Sequence, residues 1–145
     1  MRIGIITAMA EETLPIFQKL GNVVAEVTVS GVTVRQIEAE GHTVYLATSG
    51  IGEIRAAMAV QLLADLFDIE AVLNFGFVGS LNSALKVGEL VLVERAVHHQ
   101  FDISAVNGTV LGCYDGHDSP YFVTDKTIRD KVSSLLPKPL RTVTA

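Results

Sequence analysis

The chain has 145 residues, of which 49% are hydrophobic and 19% are charged, so it has enough apolar side chains for one buried core and is not a disordered tail. Its formal net charge of −5 and its lack of a long basic run exclude the usual surface of a nucleic-acid-binding protein and favour a neutral or weakly charged small-molecule partner. Cys113 is the only cysteine and the apolar runs are short or interrupted, which predicts a cytoplasmic protein with no intramolecular disulfide and no membrane-spanning segment.

The first third of the chain predicts a buried strand, a helix and an antiparallel run of strands. Residues 3–8 form a short apolar run typical of a strand buried on both faces of a parallel sheet. A helix then begins near Glu11 and ends near Gly21, with apolar residues at spacings of three, Leu14, Phe17 and Leu20. Three β-branched segments separated by short turns predict strands at residues 23–29, 32–39 and 44–48.

The remaining two thirds predict further strands and helices in alternation. A helix is expected at residues 53–68, its buried face lined by Ile54, Met58, Leu62 and Leu66 and widened by Ala57 and Leu63. Strands are expected at residues 71–75 and 89–97, followed by a polar, turn-rich stretch at 102–120. Asp125 is placed to cap a last helix that runs to Leu136.

This order of elements predicts an α/β fold, a three-layer α/β/α sandwich around a mixed, mainly parallel sheet. Residues 140–145 have the pattern of a strand that enters a core, and no sequence follows them. We therefore expect residues 1–145 to be a single, truncated domain that lacks its C-terminal portion. A sheet interrupted in this way exposes an apolar edge, which predicts poor solubility or tight self-association of the chain alone.

Three loops that follow predicted buried strands are candidates for a ligand site, at residues 7–12, 49–52 and 76–80. Ligands of α/β folds collect at the carboxyl ends of strands, where such loops meet helix N-termini. The dinucleotide-binding pattern G-x-G-x-x-G and the phosphate-binding loop with its Lys-Ser/Thr pair are both absent. We therefore expect no nucleotide cofactor, and no cofactor of any other kind.

Glu12 is the candidate catalytic residue, and its position is compatible with two interpretations. Acidic residues in the first turn of a helix commonly do no more than complement the helix dipole, and this applies equally to Glu11. A partly desolvated carboxylate at a strand end can instead exchange a proton with a ligand. The helix N-terminus lowers the pKa of such a group and burial raises it, so the sequence leaves both interpretations open.

The other reactive side chains predict structural roles. His98 and His99 are adjacent in a predicted strand and point to opposite faces, so they are a poor metal pair and no metal site is expected. Cys113 has no basic neighbour and is expected to be inert. Phe75 and Phe77 are compatible with core packing or, for one of them, with stacking on a purine.

Taken together, the segments at residues 1–12, 49–52, 74–81, 85–91 and 102–105 closely resemble bacterial 5'-methylthioadenosine/S-adenosylhomocysteine nucleosidases. The resemblance is collinear and covers essentially the whole chain. It implies the nucleoside phosphorylase/hydrolase fold, usually as a homodimer, and hydrolysis of the N-glycosidic bond of methylthioadenosine or S-adenosylhomocysteine to adenine and a thioribose. The implied partner is thus a small purine nucleoside, with neither nucleic acid nor membrane.

The resemblance also assigns roles to individual residues. Glu12 matches the carboxylate that activates the attacking water. Met9 and Ile51 match positions that line the ribose and alkylthio region, and Gly79 matches a glycine beside the base and sugar. Phe77 and Val78 replace a Ser-Ala pair common in the family, which adds bulk and is compatible with another 5'-substituted adenosine or with futalosine as substrate. Ile103 and Val106 match apolar residues that one subunit lends to the alkylthio pocket of its neighbour.

Two further family residues have no counterpart in the chain. The aspartate that protonates the leaving purine lies in a later Ser-Asp segment, and the glutamate that holds the ribose hydroxyls lies in a Met-Glu pair. Neither segment occurs in residues 1–145, so we expect this chain alone to lack the catalytic aspartate. A non-catalytic nucleoside-binding fragment is therefore one alternative. A phosphorylase of the same fold is another, although Arg55 is its only candidate phosphate ligand near the first two loops.

Overall fold

The computed structural model of the protein describes all 145 residues. They form two compact units, Met1–Gly79 and Ser80–Ala145, and each unit has a sheet of its own. No helix in the chain combines the length and the apolar character needed to cross a lipid bilayer.

The first unit is built on a five-stranded mixed sheet in the order β2-β3-β4-β1-β5. Its strands are β1 (Arg2–Thr7), β2 (Val23–Val29), β3 (Val32–Ala39), β4 (His42–Thr48) and β5 (Ala71–Asn74). β1 runs parallel to both of its neighbours, β4 and β5, whereas β2, β3 and β4 form an antiparallel meander. The predicted mixed sheet is confirmed, and its parallel part is β4-β1-β5.

Two helices cover the two faces of this sheet, α1 (Ala10–Leu20) and α2 (Glu53–Phe67). Alternate residues of a strand point to opposite faces. On one face, Ile6, Tyr45 and Ala47 pack with Ala59 and Leu63 of α2. On the other face, Val44 and Leu46 pack near three partly buried residues of α1, Ile16, Phe17 and Leu20. The first unit is therefore a helix–sheet–helix sandwich, which confirms the predicted α/β architecture.

The buried face of α2 agrees with the predicted one only in part. Leu63 is fully buried as predicted, and Met58 and Leu62 pack partly buried against the core. Ile54 is 82% exposed, Leu66 is 53% exposed and Ala57 is also exposed, whereas Ala59, which was not predicted, is fully buried. A spacing of four residues advances about 40° beyond one full turn of an α-helix, so over three such steps the predicted stripe rotates about 120° around the axis. Its two ends consequently leave the face that contacts the sheet. In α1, Leu14 is 52% exposed, whereas Phe17 and Leu20, at the same spacing of three, pack partly buried against the core.

Leu63→Ala should be among the most destabilising single changes in the first unit. The Leu63 side chain is fully buried between α2 and the sheet. Its truncation leaves a cavity and is expected to lower the free energy of unfolding by about 2–5 kcal/mol in denaturant titrations. Leu66→Ala on the same helix is the matched control and should cost less than about 1 kcal/mol, because Leu66 is half-exposed. Equal losses for the two variants would contradict the observed orientation of α2.

The second unit contains a three-stranded sheet in the order β7-β6-β8. Its elements are β6 (Val91–Val97), α3 (Ser104–Asn107), β7 (Tyr121–Val123), α4 (Lys126–Ser134) and β8 (Arg141–Thr144). β6 is antiparallel to β7 and parallel to β8. Asp125 caps α4 as predicted, since its carboxylate accepts a hydrogen bond of 2.9 Å from the Ile128 N–H.

The two adjacent histidines lie beyond the end of β6 and not in the strand, which corrects the prediction. His98 Nδ1 is 2.8 Å from the Tyr114 hydroxyl, and its ring stacks on Phe101 with centroids 5.6 Å apart. This aromatic contact gives His98 a structural role, in keeping with the sequence analysis. Cys113 is buried, and its thiol donates to the His117 carbonyl at 3.0 Å.

Candidate active site

The site is built where β1, β4 and β5 end, at one edge of the first sheet. These strands are parallel, so their carboxyl ends lie side by side and the chain segments that follow them meet. The Ser49 N–H donates to the Thr7 carbonyl at 2.9 Å, which ties the loop after β4 to β1. The Phe75 N–H donates to the Ile6 carbonyl at 3.0 Å, which does the same for the loop after β5.

The Glu12 carboxylate lies between two of these loops. Glu12 is the third residue of α1 and is only 3% exposed. Its Oε2 accepts hydrogen bonds from the N–H groups of Ala8, at 2.7 Å, and Met9, at 3.1 Å. Its Oε1 accepts a hydrogen bond of 2.8 Å from the Phe77 N–H. Glu12 therefore caps the start of its own helix and also fixes the loop that follows β5.

The number of donors decides what the carboxylate can still accept. Each carboxylate oxygen has two lone-pair positions. Both positions of Oε2 are used by Ala8 and Met9, whereas Oε1 receives only the Phe77 N–H. No ion pair involves Glu12. The remaining acceptor position on Oε1 is thus the one through which the carboxylate can bind a further donor such as water.

Gly76 allows the loop after β5 to approach this carboxylate. A Cβ atom at position 76 would lie 2.7 Å from Oε1 of Glu12 and 2.9 Å from its Cδ. Real Cβ atoms essentially never come so close to another heavy atom, so any side chain here must displace the carboxylate or the loop. Residues 76–80 were predicted as a candidate loop, but the sequence carries no signal for this role of Gly76, because the contact joins residues 12 and 76.

A cluster of three threonine hydroxyls lies beside Glu12 and was missed by the sequence analysis. Thr13 Oγ1 is 2.6 Å from Thr7 Oγ1 and 2.8 Å from Thr48 Oγ1. Thr7 ends β1, Thr48 ends β4, and Thr13 follows Glu12 in α1. We call Thr7, Thr13 and Thr48 the threonine cluster. In the sequence, the cluster is indicated only by three threonines: one at the end of β1, one in α1 and one at the end of β4.

Most of the apolar candidate residues in the first unit are exposed, so a ligand can contact their side chains. Ile51 is 74% exposed, and Phe77 and Val78 are each 70% exposed. Such exposure excludes the core-packing interpretation of Phe77, whose main chain nevertheless contacts Glu12. Gly79 has open space where a Cβ would lie, and Met9 is half-buried at the start of α1. The structure thus brings Met9 and Phe77 directly to Glu12 and leaves Ile51, Val78 and Gly79 on the loops.

The two remaining candidates, Ile103 and Val106, belong to the second unit. Val106 lies in the short helix α3 and is 88% exposed, whereas Ile103 precedes the helix and is half-buried. Asp102 holds the start of α3, because its Oδ1 accepts a hydrogen bond of 2.9 Å from the Ser104 N–H. Hydrogen bonds from the Ser104 hydroxyl and N–H keep the pKa of Asp102 below its usual value.

The lowered pKa of Asp102 predicts acid sensitivity of α3. A carboxyl group whose pKa is lower in the folded state stabilises that state above the unfolded pKa, and the contribution is lost as the pH falls through the folded pKa. We expect α3 to loosen as the pH drops below about 3.9, the usual aspartate pKa. A carboxyl-carbon NMR titration should place the Asp102 midpoint below that value and move it upward in Ser104→Ala. An unchanged midpoint in that variant would remove the Ser104 hydroxyl as a cause.

No group of three or more His, Cys, Asp or Glu side chains is arranged to hold a metal ion. A cationic side chain lies against one of the loops: Arg55, in the first turn of α2, folds back over Gly50 in the loop after β4. A Cβ at Gly50 would lie 2.7 Å from Arg55 Cδ and 3.3 Å from its Nε. This places a guanidinium group against the loop after β4.

Comparison with known proteins identifies relatives of this architecture. Residues 2–144 match the family model of the phosphorylase superfamily. A 5'-methylthioadenosine/S-adenosylhomocysteine nucleosidase of Bacillus anthracis is 37% identical over 107 residues, which cover 74% of this chain and 46% of the relative. The chain therefore spans about half the length of the curated relatives that it matches.

Solved structures give the same result for the fold. The nucleosidase of S. pneumoniae, solved with a transition-state inhibitor, has a TM-score of 0.89 at 33% identity, covering 99% of this chain and 63% of that one. The futalosine hydrolase of Helicobacter pylori has a TM-score of 0.89 at 25% identity, covering 99% and 62%. These similarities confirm the predicted α/β fold.

Proposed function

We propose that this chain, which belongs to the phosphorylase superfamily, carries the water-activating part of a purine nucleoside N-glycosidase site for methylthioadenosine and S-adenosylhomocysteine. The observation that carries the proposal is the Glu12 carboxylate, buried at the strand ends, held by three main-chain donors and left with one acceptor position on Oε1. The named activities of the relatives support the same reaction.

Hydrolysis of an N-glycosidic bond passes through an oxocarbenium-like state and needs a base for water and an acid for the leaving group. Oε1 of Glu12 accepts a proton from water as the water oxygen bonds to the anomeric carbon. The glycosidic bond breaks, and its electron pair leaves with the purine, which takes up a proton from solvent at a ring nitrogen, because residues 1–145 do not contain the Ser-Asp segment. The three N–H donors hold the carboxylate still while this occurs. The reaction uses no cofactor.

We assign the apolar residues around Glu12 to substrate binding. Met9, Ile51, Phe77, Val78 and Gly79 would flank the ribose and its 5' substituent. Ile103 and Val106 would reach the alkylthio region of a neighbouring subunit, so the proposal includes a homodimer. The bulk of Phe77 and Val78 favours an apolar 5' substituent, and a panel that compares methylthioadenosine, S-adenosylhomocysteine and futalosine tests this point.

A phosphorylase is the second candidate function, and Arg55 favours it. Phosphate is bound by guanidinium groups and main-chain N–H donors, and the Arg55 side chain lies against Gly50 in a loop at the candidate site. In that case phosphate would replace water as the acceptor of the sugar. Arg55→Gln would then reduce turnover in phosphate and leave turnover in its absence unchanged.

A non-catalytic nucleoside-binding fragment is the third candidate. The Ser-Asp segment that the resemblance associates with the acid does not occur in residues 1–145. We treat these residues as part of one phosphorylase-type domain, because single solved chains align with 99% of the chain. A cytoplasmic location belongs to the same proposal and is supported by the lone, buried thiol of Cys113.

The deciding experiment incubates the purified chain with methylthioadenosine, with and without phosphate, and follows free adenine by chromatography. Adenine release without phosphate supports the hydrolase, whereas release only with phosphate supports the phosphorylase. Calorimetry on the same sample measures nucleoside binding. Binding without release identifies the non-catalytic fragment, and the absence of both contradicts the assignment of this site to nucleosides.

A further inference from the structure

We infer that Thr13 is a positioning residue for Glu12, acting through the main chain of Met9; this inference rests on the proposed role of Glu12. Thr13 Oγ1 donates to the Met9 carbonyl at 3.0 Å. The N–H of the same residue, Met9, donates to Oε2 of Glu12 at 3.1 Å. Met9 is therefore held at its carbonyl by Thr13 and donates its N–H to the Glu12 carboxylate.

The threonine cluster surrounds the hydroxyl that makes this contact. Thr13 Oγ1 donates to the Met9 carbonyl and also lies within hydrogen-bond distance of the hydroxyls of Thr7, at 2.6 Å, and Thr48, at 2.8 Å. A hydroxyl group has one proton to donate and two lone pairs, so three partners use its full capacity. Thr13 is thus fully hydrogen-bonded, and its orientation is set by the ends of β1 and β4 together.

Burial makes this arrangement rigid. Thr7 is fully buried and Thr13 is 5% exposed, so water does not readily replace the lost partners when one hydroxyl is removed. No buried side-chain N or O atom in the chain lacks a hydrogen-bond partner. Loss of the Thr13 hydroxyl would leave the Met9 carbonyl with only its two main-chain donors, the N–H groups of Glu12 and Thr13. We expect the N–H groups that hold Oε2 to become more mobile as a result.

The test compares Thr13→Val, which removes the hydroxyl at nearly constant volume, with Thr13→Ser, which retains it. Thr28→Val is the matched control, because Thr28 and Thr33 form an exposed hydroxyl pair at 3.1 Å on β2 and β3. The first readout is amide hydrogen exchange at Ala8 and Met9 by NMR, relative to the Leu63 amide. The second is the steady-state rate of adenine release from methylthioadenosine.

Thr13→Val should speed exchange at Ala8 and Met9 by about tenfold, the equivalent of one lost hydrogen bond. Thr13→Ser should restore the wild-type rate to within about twofold, and Thr28→Val should leave both amides unchanged. In the active protein, Thr13→Val should lower kcat by about tenfold with KM within about twofold, since the Thr13 side chain is buried and acts through Met9.

Unchanged exchange at Ala8 and Met9 in Thr13→Val, or a serine variant that fails to restore it, overturns the inference. If Thr13→Val does not fold, Thr48→Val is measured in its place. The inference then requires that Thr48→Val speeds hydrogen exchange at the Ala8 and Met9 amides by a larger factor than at the Leu63 amide. A wild-type chain that neither binds methylthioadenosine nor releases adenine refutes the proposed function, while the exchange data still decide whether Thr13 positions the carboxylate.

Discussion

Glu12→Gln is expected to lower the rate of adenine release from methylthioadenosine by roughly 10²–10⁴-fold, the usual loss when a general base is removed. The amide is nearly isosteric with the carboxylate but does not accept the proton of the attacking water. One of its two terminal atoms is also a donor and must face an N–H group of Phe77 or of Ala8 and Met9. We therefore expect a simultaneous loss of about 1–3 kcal/mol in the free energy of unfolding.

Glu11→Gln is the matched control for this variant. Glu11 lies in the same helical turn, carries the same functional group and is exposed. Glu11→Gln should leave turnover unchanged. It should lower the free energy of unfolding by less than about 1 kcal/mol, through the lost interaction of the Glu11 charge with the helix dipole. Equal effects of the two variants would mean that Glu12 acts only through the dipole, which is the interpretation that the sequence left open.

Gly76→Ala is expected to damage stability and activity together. The added methyl would lie 2.7 Å from Oε1, which is held in place by its contact with the Phe77 N–H. Relief requires the carboxylate or the loop to move, at a cost of about 1–3 kcal/mol in thermal or denaturant unfolding. A displacement of about 1 Å in a catalytic group can cost about 10²-fold in rate, and we expect a loss of that order in adenine release.

Gly79→Ala serves as the stability control for Gly76→Ala. It introduces the same methyl into the same loop, where no atom lies within 4 Å and the backbone angle is not one that favours glycine. Its free energy of unfolding should change by less than about 1 kcal/mol. A comparable destabilisation by both variants would show that the loop tolerates no methyl group and would remove the specific role of Gly76.

The sequence predicted those elements whose pattern is local. β1, the meander of β2 to β4 and the start of α2 were all found to within about two residues, because apolar runs, glycine turns and helical periodicity lie within a short window. β7, with only three residues, all exposed, has no such pattern. The separation into two sheets was also missed, since β6 pairs with β8 across more than forty intervening residues.

In the candidate site, too, the sequence predicted local features and missed those that depend on distant contacts. Glu12 was identified from its position in the first turn of a helix and from the family resemblance. The hydrogen bond from the Phe77 N–H, the close approach of Gly76 and the Thr13–Thr48 contact were not, because each joins residues that lie far apart in the chain. The hydrogen bonds from Ala8 and Met9 are local, but the sequence does not show how the Glu12 side chain is oriented. Ile103 and Val106 rest on the resemblance alone and remain predictions.

β1 lies inside the first sheet, between β4 and β5, and this has a consequence for the kinetics of folding. β1 precedes both of its partners in the chain, because β4 and β5 begin only at residues 42 and 71. The hairpins of β2, β3 and β4 need only short loop closures and should form earlier, with β1 inserted beside β4 afterwards. The bond from Phe77 to Glu12 closes a loop of 65 residues and becomes possible only after β5 has docked. The hydrogen bonding of the Glu12 carboxylate is thus completed in the last step of folding of this unit, when the surrounding structure is already rigid.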